Sequence, residues 1–207
     1  VSIEDLSKKS LREKISWVGQ PVTLFDDSVF SNVAIGNTNA SKSDVLKALE
    51  IAHCMDFVEK LPDGIDTIIG PNGSNLSGGQ RQRAMIAMAL SNNPKILIAD
   101  EPTTSLDVSV ENKILNLLED LKSRFGMSIL FITHDLSVVR KIADNVVVMQ
   151  SGKIVEKGIT KNILNNPKMV YTRKLISEPE KIIKKKKSND IPIICLLYTS
   201  PSPRDGT

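Results

Sequence analysis

Apolar residues recur with a helical period in some stretches of the chain and form short, nearly unbroken runs in others. Residues 95–100 and 127–134 are such runs, which is typical of strands buried on both faces of a sheet. Between them, residues 108–124 place five apolar side chains on one helical face: Val110, Ile114, Leu117, Leu118 and Leu121. This alternation of strand and helix predicts an α/β fold with a parallel sheet.

Shorter elements are predicted on either side of this unit. Residues 14–20 predict a short strand that leads into a loop, and residues 79–90 predict a helix that Pro94 ends. Residues 145–158 alternate around a central turn and predict a hairpin. The sheet is therefore expected to continue beyond the two buried strands.

Residues 27–92 contain no comparable buried run, so we expect this stretch to form a mostly helical subdomain. Ser41 or Ser43 is expected to cap its first long helix. Residues 188–207 show no periodicity and end in turn-forming residues, so we assign them no structure.

Composition and charge narrow the classes of function. Apolar residues make up 41 % of the chain, enough for a sizeable core. The net charge of +3 depends on five lysines within residues 181–187, and the rest holds 22 basic and 24 acidic residues. This nearly neutral body argues against nucleic-acid binding. Cys54 and Cys195 lack metal-ligand spacing and are expected to be free thiols in a reducing compartment.

Acidic residues and a histidine follow the two predicted buried strands. Asp100 and Glu101 end the run ILIADE, and His134 ends the next run. Because α/β sheets bind ligands at the carboxyl ends of parallel strands, these side chains are candidates for phosphoryl-transfer chemistry. Asp100 would hold Mg²⁺, Glu101 would activate a water molecule, and His134 would hydrogen-bond a γ-phosphate. The alternatives are acids that cap the next helix and a histidine with an ordinary polar contact.

A serine and a glycine pair stand directly at the start of the helix predicted over residues 79–90. A helix start offers unpaired N–H groups and a positive dipole end, and glycines let a phosphate approach the backbone closely. Ser77 adds a hydroxyl donor, so Ser77, Gly78 and Gly79 are suited to hold phosphate oxygens. An ordinary glycine-rich turn is the alternative. Gln20, at the end of the first strand, could coordinate Mg²⁺ or orient a water molecule.

Four motifs occur together in the order of a known family. LSGGQ at residues 76–80, ILIADE ending at Glu101, SLD at residues 105–107 and the strand-final His134 closely resemble the nucleotide-binding domain of ABC transporters. The resemblance covers about residues 2–180. It implies a P-loop NTPase (RecA-like) parallel-sheet core with an inserted helical subdomain. It also implies ATP and Mg²⁺ as cofactors and an ABC-type ATPase activity.

The resemblance implies a role for each matching residue. Gln20 is the Q-loop glutamine and Asp100 ends the Walker B strand, so both are implied Mg²⁺ ligands. Glu101 is the general base and His134 the switch histidine, with Gln20 completing the implied catalytic set. The implied nucleotide contacts are Leu76, Ser77, Gly78, Gly79, Gln80 and Asp107.

The resemblance also divides the chain. Residues 1–26 correspond to a remnant of the catalytic core with the Q-loop, and residues 27–92 to the helical subdomain that carries LSGGQ. Residues 93–158 correspond to the catalytic core with Walker B, the D-loop and the switch histidine. Residues 159–182 are expected to form a C-terminal helical segment, and residues 183–207 a disordered or non-native tail.

In the family, two such domains stack head to tail, and each ATP lies between one subunit's P-loop and the other's LSGGQ. The implied partners are a second nucleotide-binding domain and the transmembrane domains of a transporter, with no nucleic acid. The implied location is the cytoplasmic face of the plasma (inner) membrane. Two alternatives stay open: a soluble ABC ATPase outside transport, and a chimeric or truncated non-enzyme that contributes only LSGGQ in trans.

The phosphate-binding pattern G-x-x-x-x-G-K-[ST] begins at none of the eleven glycines. The family places this P-loop well before the Q-loop, and Gln20 lies close to the first residue of the sequence. We therefore expect the sheet to lack its first strands and the P-loop, as in an N-terminally truncated domain. An isolated chain of this sequence is expected to have negligible ATPase activity, because phosphoryl transfer depends on positioning.

Segments on either side of the signature resemble different branches of the family. Residues 11–36 and 61–80 resemble lipid and multidrug exporters, whereas residues 85–118 resemble peptide importers. We interpret this as a join of two genes near residues 78–84, so the direction of transport is not inferred. Residues 196–207 match neither branch and are interpreted as foreign sequence. A single divergent transporter with mixed features is the alternative.

Overall fold

The computed structural model describes residues 7–37, 39–177 and 193–198. The helices are α1 (Lys8–Lys14), α2 (Val29–Ala34), α3 (Lys42–Ile51), α4 (Met55–Val58), α5 (Gly78–Leu90), α6 (Val108–Phe125), α7 (Leu136–Ile142), α8 (Thr160–Asn165) and α9 (Val170–Ser177). The strands are β1 (Ile15–Val18), β2 (Ile96–Asp100), β3 (Ser128–Thr133), β4 (Asn145–Gln150), β5 (Lys153–Ile159) and β6 (Ile193–Tyr198). Contacts divide the chain into two compact units. The first unit is Val1–Ile98 with Pro102–Met127, and the second is Ala99–Glu101 with Ser128–Thr207.

Helix α5 packs against α2, α3 and β1 in the first unit. Ile86 and Ala87 on this helix are fully buried, and they supply part of the apolar core. The helix begins at Gly78, one residue before the predicted start, and ends at Leu90 as predicted. The sequence pattern therefore located this helix almost to the residue.

A backbone hydrogen bond and a helix cap position β1, β2 and α3 in the first unit. The Lys95 N–H donates to the Lys14 carbonyl at 2.8 Å, which places the starts of β1 and β2 side by side. Helix α3 begins with a capping box, in which the Ser41 hydroxyl accepts the Asp44 N–H at 3.2 Å and the Asp44 carboxylate accepts the Ser41 N–H at 2.9 Å. Ser41, rather than Ser43, is therefore the cap of this helix.

Helix α6 shows the predicted amphipathic face. Ile114, Leu117, Leu118 and Leu121 are at most 3 % exposed, whereas Val110 in the first turn is only half-buried. The helix ends at Gly126, whose φ of 58° is the left-handed conformation that glycine adopts without steric cost. The apolar face therefore anchors the helix, and its first turn contacts other groups.

The second unit contains most of the sheet. The end of β2 is followed across the sheet by β3, β6, β4 and β5. The Glu101 N–H donates to the Ile132 carbonyl at 2.9 Å, so the carboxyl ends of β2 and β3 lie side by side. β4 and β5 form the predicted hairpin, which turns at Ser151 and Gly152 with φ of 51° and 76°. The carboxyl ends of the two predicted buried strands therefore meet at one edge of the sheet.

The tail of the chain differs from the sequence-based expectation. Residues 188–207 were expected to lack structure, but Ile193–Tyr198 form β6, which pairs antiparallel with both β3 and β4. The sheet is therefore mixed rather than parallel throughout. The segment IICLLY at residues 193–198 is a continuous apolar run like those that predicted β2 and β3, so the sequence carried a strand signal here that the search for alternation missed. The lysine run at 181–187 lies outside the described residues.

Cys54 is a free and fully buried thiol, as predicted. Burial raises the pKa of Cys54 to about 12, so this thiol stays protonated and unreactive at neutral pH. The same prediction, that Cys195 is a free thiol, concerns a side chain outside the described part of the chain.

Candidate active site

The start of α5 is organised by Ser77. Its hydroxyl accepts the Gln80 N–H at 3.3 Å, and the Gln80 side-chain oxygen accepts the Ser77 N–H at 2.8 Å, which completes a capping box. The Ser77 carbonyl accepts the Arg81 N–H at 2.9 Å. Gln80 therefore holds the helix start in place, and the Ser77 hydroxyl still has a proton to donate.

Two backbone donors are left at this helix start. Since the Gln80 and Arg81 N–H groups bind Ser77, the Gly78 and Gly79 N–H groups are the ones that an anion would meet. Leu76 is 4 % exposed and anchors the preceding turn in the core. Of the predicted nucleotide contacts, Leu76 therefore offers packing, while Ser77, Gly78 and Gly79 offer hydrogen-bond donors.

The start of α6 lies against the same glycines. A Cβ placed on Gly79 would lie 2.4 Å from Val110 Cγ1, and one placed on Gly78 would lie 3.5 Å from Leu106 Cδ2. Asp107 caps α6, because its carboxylate accepts the Val110 N–H at 3.0 Å. The predicted nucleotide contact Asp107 thus has a structural role at the start of this helix.

The carboxyl end of β2 brings two acids together in the second unit. Asp100 is the last residue of the strand and Glu101 follows it. Burial, and then the negative charge of Glu101, raise the pKa of Asp100 above its usual value. Two adjacent carboxylates in partly buried surroundings favour a bound cation, which would relieve their mutual repulsion.

Glu101 and His134 are joined directly. His134 Nδ1 lies 2.7 Å from Glu101 Oε1, with the two side chains 30 % and 21 % exposed. Glu101 has a φ of 48°, an uncommon conformation for a residue with a side chain and one that often occurs at functional sites. The predicted pair of a strand-final acid and a strand-final histidine is therefore in hydrogen-bond contact at the ends of β2 and β3.

The described residues fit a cation held mainly by a substrate. No cluster of three or more His, Cys, Asp or Glu side chains that could hold a metal occurs among them. Mg²⁺ commonly binds one or two carboxylates and takes its other ligands from phosphates and water, so Asp100 alone is a sufficient protein anchor. Gln20, the other predicted ligand, is exposed after β1 in the first unit, and its role stays a prediction.

Sequence reasoning missed a buried asparagine that shapes the loop after Gln20. Asn32 is 1 % exposed, its side-chain oxygen accepts the Phe25 N–H at 2.7 Å, and its amide donates to the carbonyls of Phe25 and Ser28 at 3.0 and 2.9 Å. The Phe25 side chain is 50 % exposed, and that of Ile68, on the adjoining segment, is 55 % exposed. The one sequence signal was a polar residue within the apolar helix VFSNVA.

Comparisons with known proteins identify the family of the chain. The family profile described as ABC transporter matches residues 1–104. The Peptidoglycan transport ATP-binding protein YejF of Agrobacterium fabrum is 62 % identical over 106 residues, which is 51 % of this chain and 19 % of that protein. The ATP-dependent lipid A-core flippase of Ralstonia nicotianae is 46 % identical over 167 residues, 79 % of this chain and 28 % of the flippase.

A solved structure shares the fold. The structure of a bacterial Atm1-family ABC exporter with ATP bound matches with a TM-score of 0.71 and 34 % identity, covering 83 % of this chain and 29 % of the exporter. The chain thus spans less than a third of the length of each of these three proteins. Within the described residues, every helix is too short or too polar to cross a membrane.

Proposed function

The chain belongs to the ABC transporter family, and on this premise we propose that it binds and hydrolyses ATP as the nucleotide-binding part of a transporter. The observation that carries the proposal is the 2.7 Å contact between Glu101 and His134 beside Asp100 at the strand ends. A general base, an orienting imidazole and a metal-binding carboxylate are the groups that phosphoryl transfer to water requires.

The catalytic roles follow from the hydrogen bonds of these side chains. When bound, ATP would supply the transferred phosphoryl group and Mg²⁺ would neutralise its charge. Glu101 accepts a proton from the attacking water, and the His134 contact holds the carboxylate in one orientation while the left-handed backbone at Glu101 fixes its direction. Asp100 would hold the metal at the end of β2. The role of Gln20 as a metal ligand rests on the family resemblance alone.

The signature segment, defined as Leu76–Gln80, is proposed to act on a second subunit's nucleotide. Ser77, Gly78 and Gly79 present donors at the start of α5, where the helix dipole favours an anion. In the head-to-tail dimer that the family resemblance implies, this helix start would close the partner's ATP site. Asp107 at the start of α6 is proposed to lie beside the same nucleotide.

The transmembrane partners are proposed to dock beside Phe25 and Ile68. Both side chains are exposed, and the segments that carry them are tied together, because Ile69 N–H donates to the Asp27 carbonyl and Val29 N–H to the Thr67 carbonyl, each at 3.1 Å. An exposed apolar pair on a well-ordered loop suits a protein contact. The named transporters among the relatives support a location at the cytoplasmic face of a membrane over a soluble ATPase outside transport.

A second candidate is a chain that only contributes its signature segment in trans. The donors that Ser77, Gly78 and Gly79 present at the start of α5 are the groups that this role needs. The test uses a completed domain, in which residues 1–207 follow the part of the Ralstonia nicotianae flippase that lies before the stretch matching this chain. We expect the completed domain to hydrolyse MgATP at on the order of 1 s⁻¹, and residues 1–207 alone to show no activity above background. A completed, folded domain without activity would favour the non-enzyme.

A further inference from the structure

We propose that Val110 is a positioning residue for the signature segment, and that Gly79 lacks a side chain because Val110 occupies that space. The inference deepens the proposed function and rests on it only for its kinetic readout. Its structural part concerns how the start of α6 holds the start of α5, and both helices lie in the first unit.

Val110 leaves no room for a side chain at position 79. A Cβ on Gly79 would lie 2.4 Å from Val110 Cγ1, well inside van der Waals contact. Valine in a helix strongly prefers one side-chain rotamer, so the methyl group cannot easily turn away. The Gly79 backbone, with one of the two free N–H donors, is therefore placed by the Val110 methyl group.

Val110 is itself held by the cap of α6. Its N–H donates to the Asp107 carboxylate at 3.0 Å, and the Asp107 carbonyl accepts the Glu111 N–H at 2.8 Å. The cap fixes the first turn of α6, and this turn carries the methyl group that contacts Gly79. Asp107 therefore acts on the signature segment through Val110 and can do so without touching a nucleotide.

The burial of Val110 distinguishes its contact with the signature segment from ordinary packing in the core. It lies on the apolar face of α6, but it is half-buried, whereas Leu121 on the same face is fully buried. Removing the Val110 methyl groups should therefore disturb the signature segment more than it disturbs the overall fold. Leu121→Ala supplies the matched control, because its cavity lies in the core, away from Gly79.

The structural test uses amide NMR spectra of the 207-residue chain. Val110→Ala is expected to shift the amide signals of Gly78, Gly79 and Gln80 more than any others outside α6. Leu121→Ala, although more destabilising, should leave these three signals near their wild-type positions. Val110→Ile keeps both branches at Cβ and the same helical rotamer, and it is expected to leave them near their wild-type positions. Equal shifts in the alanine variants, or shifts in the isoleucine variant as large as those in Val110→Ala, would overturn the proposal.

The melting temperatures of single and double variants at positions 79 and 110 test the same contact. Gly79→Ala is expected to lower the melting temperature by roughly 5 °C, because its methyl group meets Val110. In the Gly79→Ala/Val110→Ala double variant, the added methyl group has room, so the melting temperature should return to that of Val110→Ala alone. Additive losses in the double variant would show that the two residues do not compete for one space.

The kinetic readout connects the contact to the reaction. In the completed domain, Val110→Ala is expected to lower kcat roughly tenfold while KM for ATP changes less than about twofold, because positioning rather than ATP binding is lost. Val110→Ile, which keeps both branches at Cβ, should rescue kcat to near the wild-type value. An unchanged kcat in Val110→Ala would remove the functional part of the proposal. An inactive parent domain would instead refute the proposed function and leave the spectral result standing.

Discussion

Glu101→Gln in the completed domain is expected to lower kcat for MgATP hydrolysis about 100- to 1,000-fold, because an amide cannot accept the proton of the attacking water. The substitution keeps the shape of the side chain and a hydrogen-bonding group for His134, whose Nδ1 lies 2.7 Å from Glu101 Oε1. The loss should therefore reflect proton transfer and not a collapsed site. Steady-state phosphate release measures it.

The control is Glu119→Gln, which removes a carboxylate from the exposed face of α6. It should leave kcat within about twofold of the parent domain, since exposed substitutions far from a site have small effects.

MgATP affinity should also be retained in Glu101→Gln, because the base is not a phosphate ligand. If Glu101→Gln hydrolysed ATP at the parent rate, Glu101 would not be the general base.

Asn32→Ala is expected to lower the free energy of unfolding of the 207-residue chain by about 1–3 kcal/mol. The substitution removes the bonds to Phe25 and Ser28 and leaves the Phe25 N–H without its acceptor, while the two carbonyls keep their bonds from the backbone N–H groups of Asp27 and residue 32. Since an unpaired buried group costs more than a hydrogen bond contributes, the loss should exceed that of an ordinary polar truncation. Urea unfolding at equilibrium measures the effect.

Asn162→Ala serves as its control, because this asparagine is exposed on α8. The control should change stability by less than about 0.5 kcal/mol. Asn32→Asp is a sharper variant, since it keeps the acceptor for the Phe25 N–H but replaces the amide donor with an oxygen that faces carbonyls. An Asn32→Ala chain as stable as the control would show that the loop holds its shape without this residue.

The periodicity of apolar residues and the order of the motifs were enough to predict most of the strands and helices and the residues of the candidate site. The buried runs located β2 and β3, and the position of Glu101 and His134 directly after them was enough to place both side chains at one edge of the sheet, although their direct contact was not predicted. This worked because the carboxyl ends of adjacent parallel strands must lie at one edge of a sheet. The apolar face of α6 was predicted for the same kind of reason.

The remaining features depend on contacts that no periodicity encodes. Asn32 binds backbone groups of Phe25 and Ser28, so nothing in the identity of its partners signals the interaction. Val110 was predicted as a core residue, but its neighbour is a glycine, and only the packing of two helix starts shows that contact. The positive φ of Glu101 likewise follows from tertiary structure, because the residue type does not favour it.

The claim that the signature segment and the acid–histidine pair serve different subunits can be measured by mixing two inactive domains. Completed domains with Glu101→Gln and with Ser77→Arg are each expected to lack activity. In a heterodimer, the subunit with intact Glu101 faces the subunit with intact Ser77, so one of the two sites is whole. Random pairing in an equal mixture should restore about a quarter of the parent ATPase rate. A mixture as inactive as its components would contradict the account, because each chain would then need both groups for its own nucleotide.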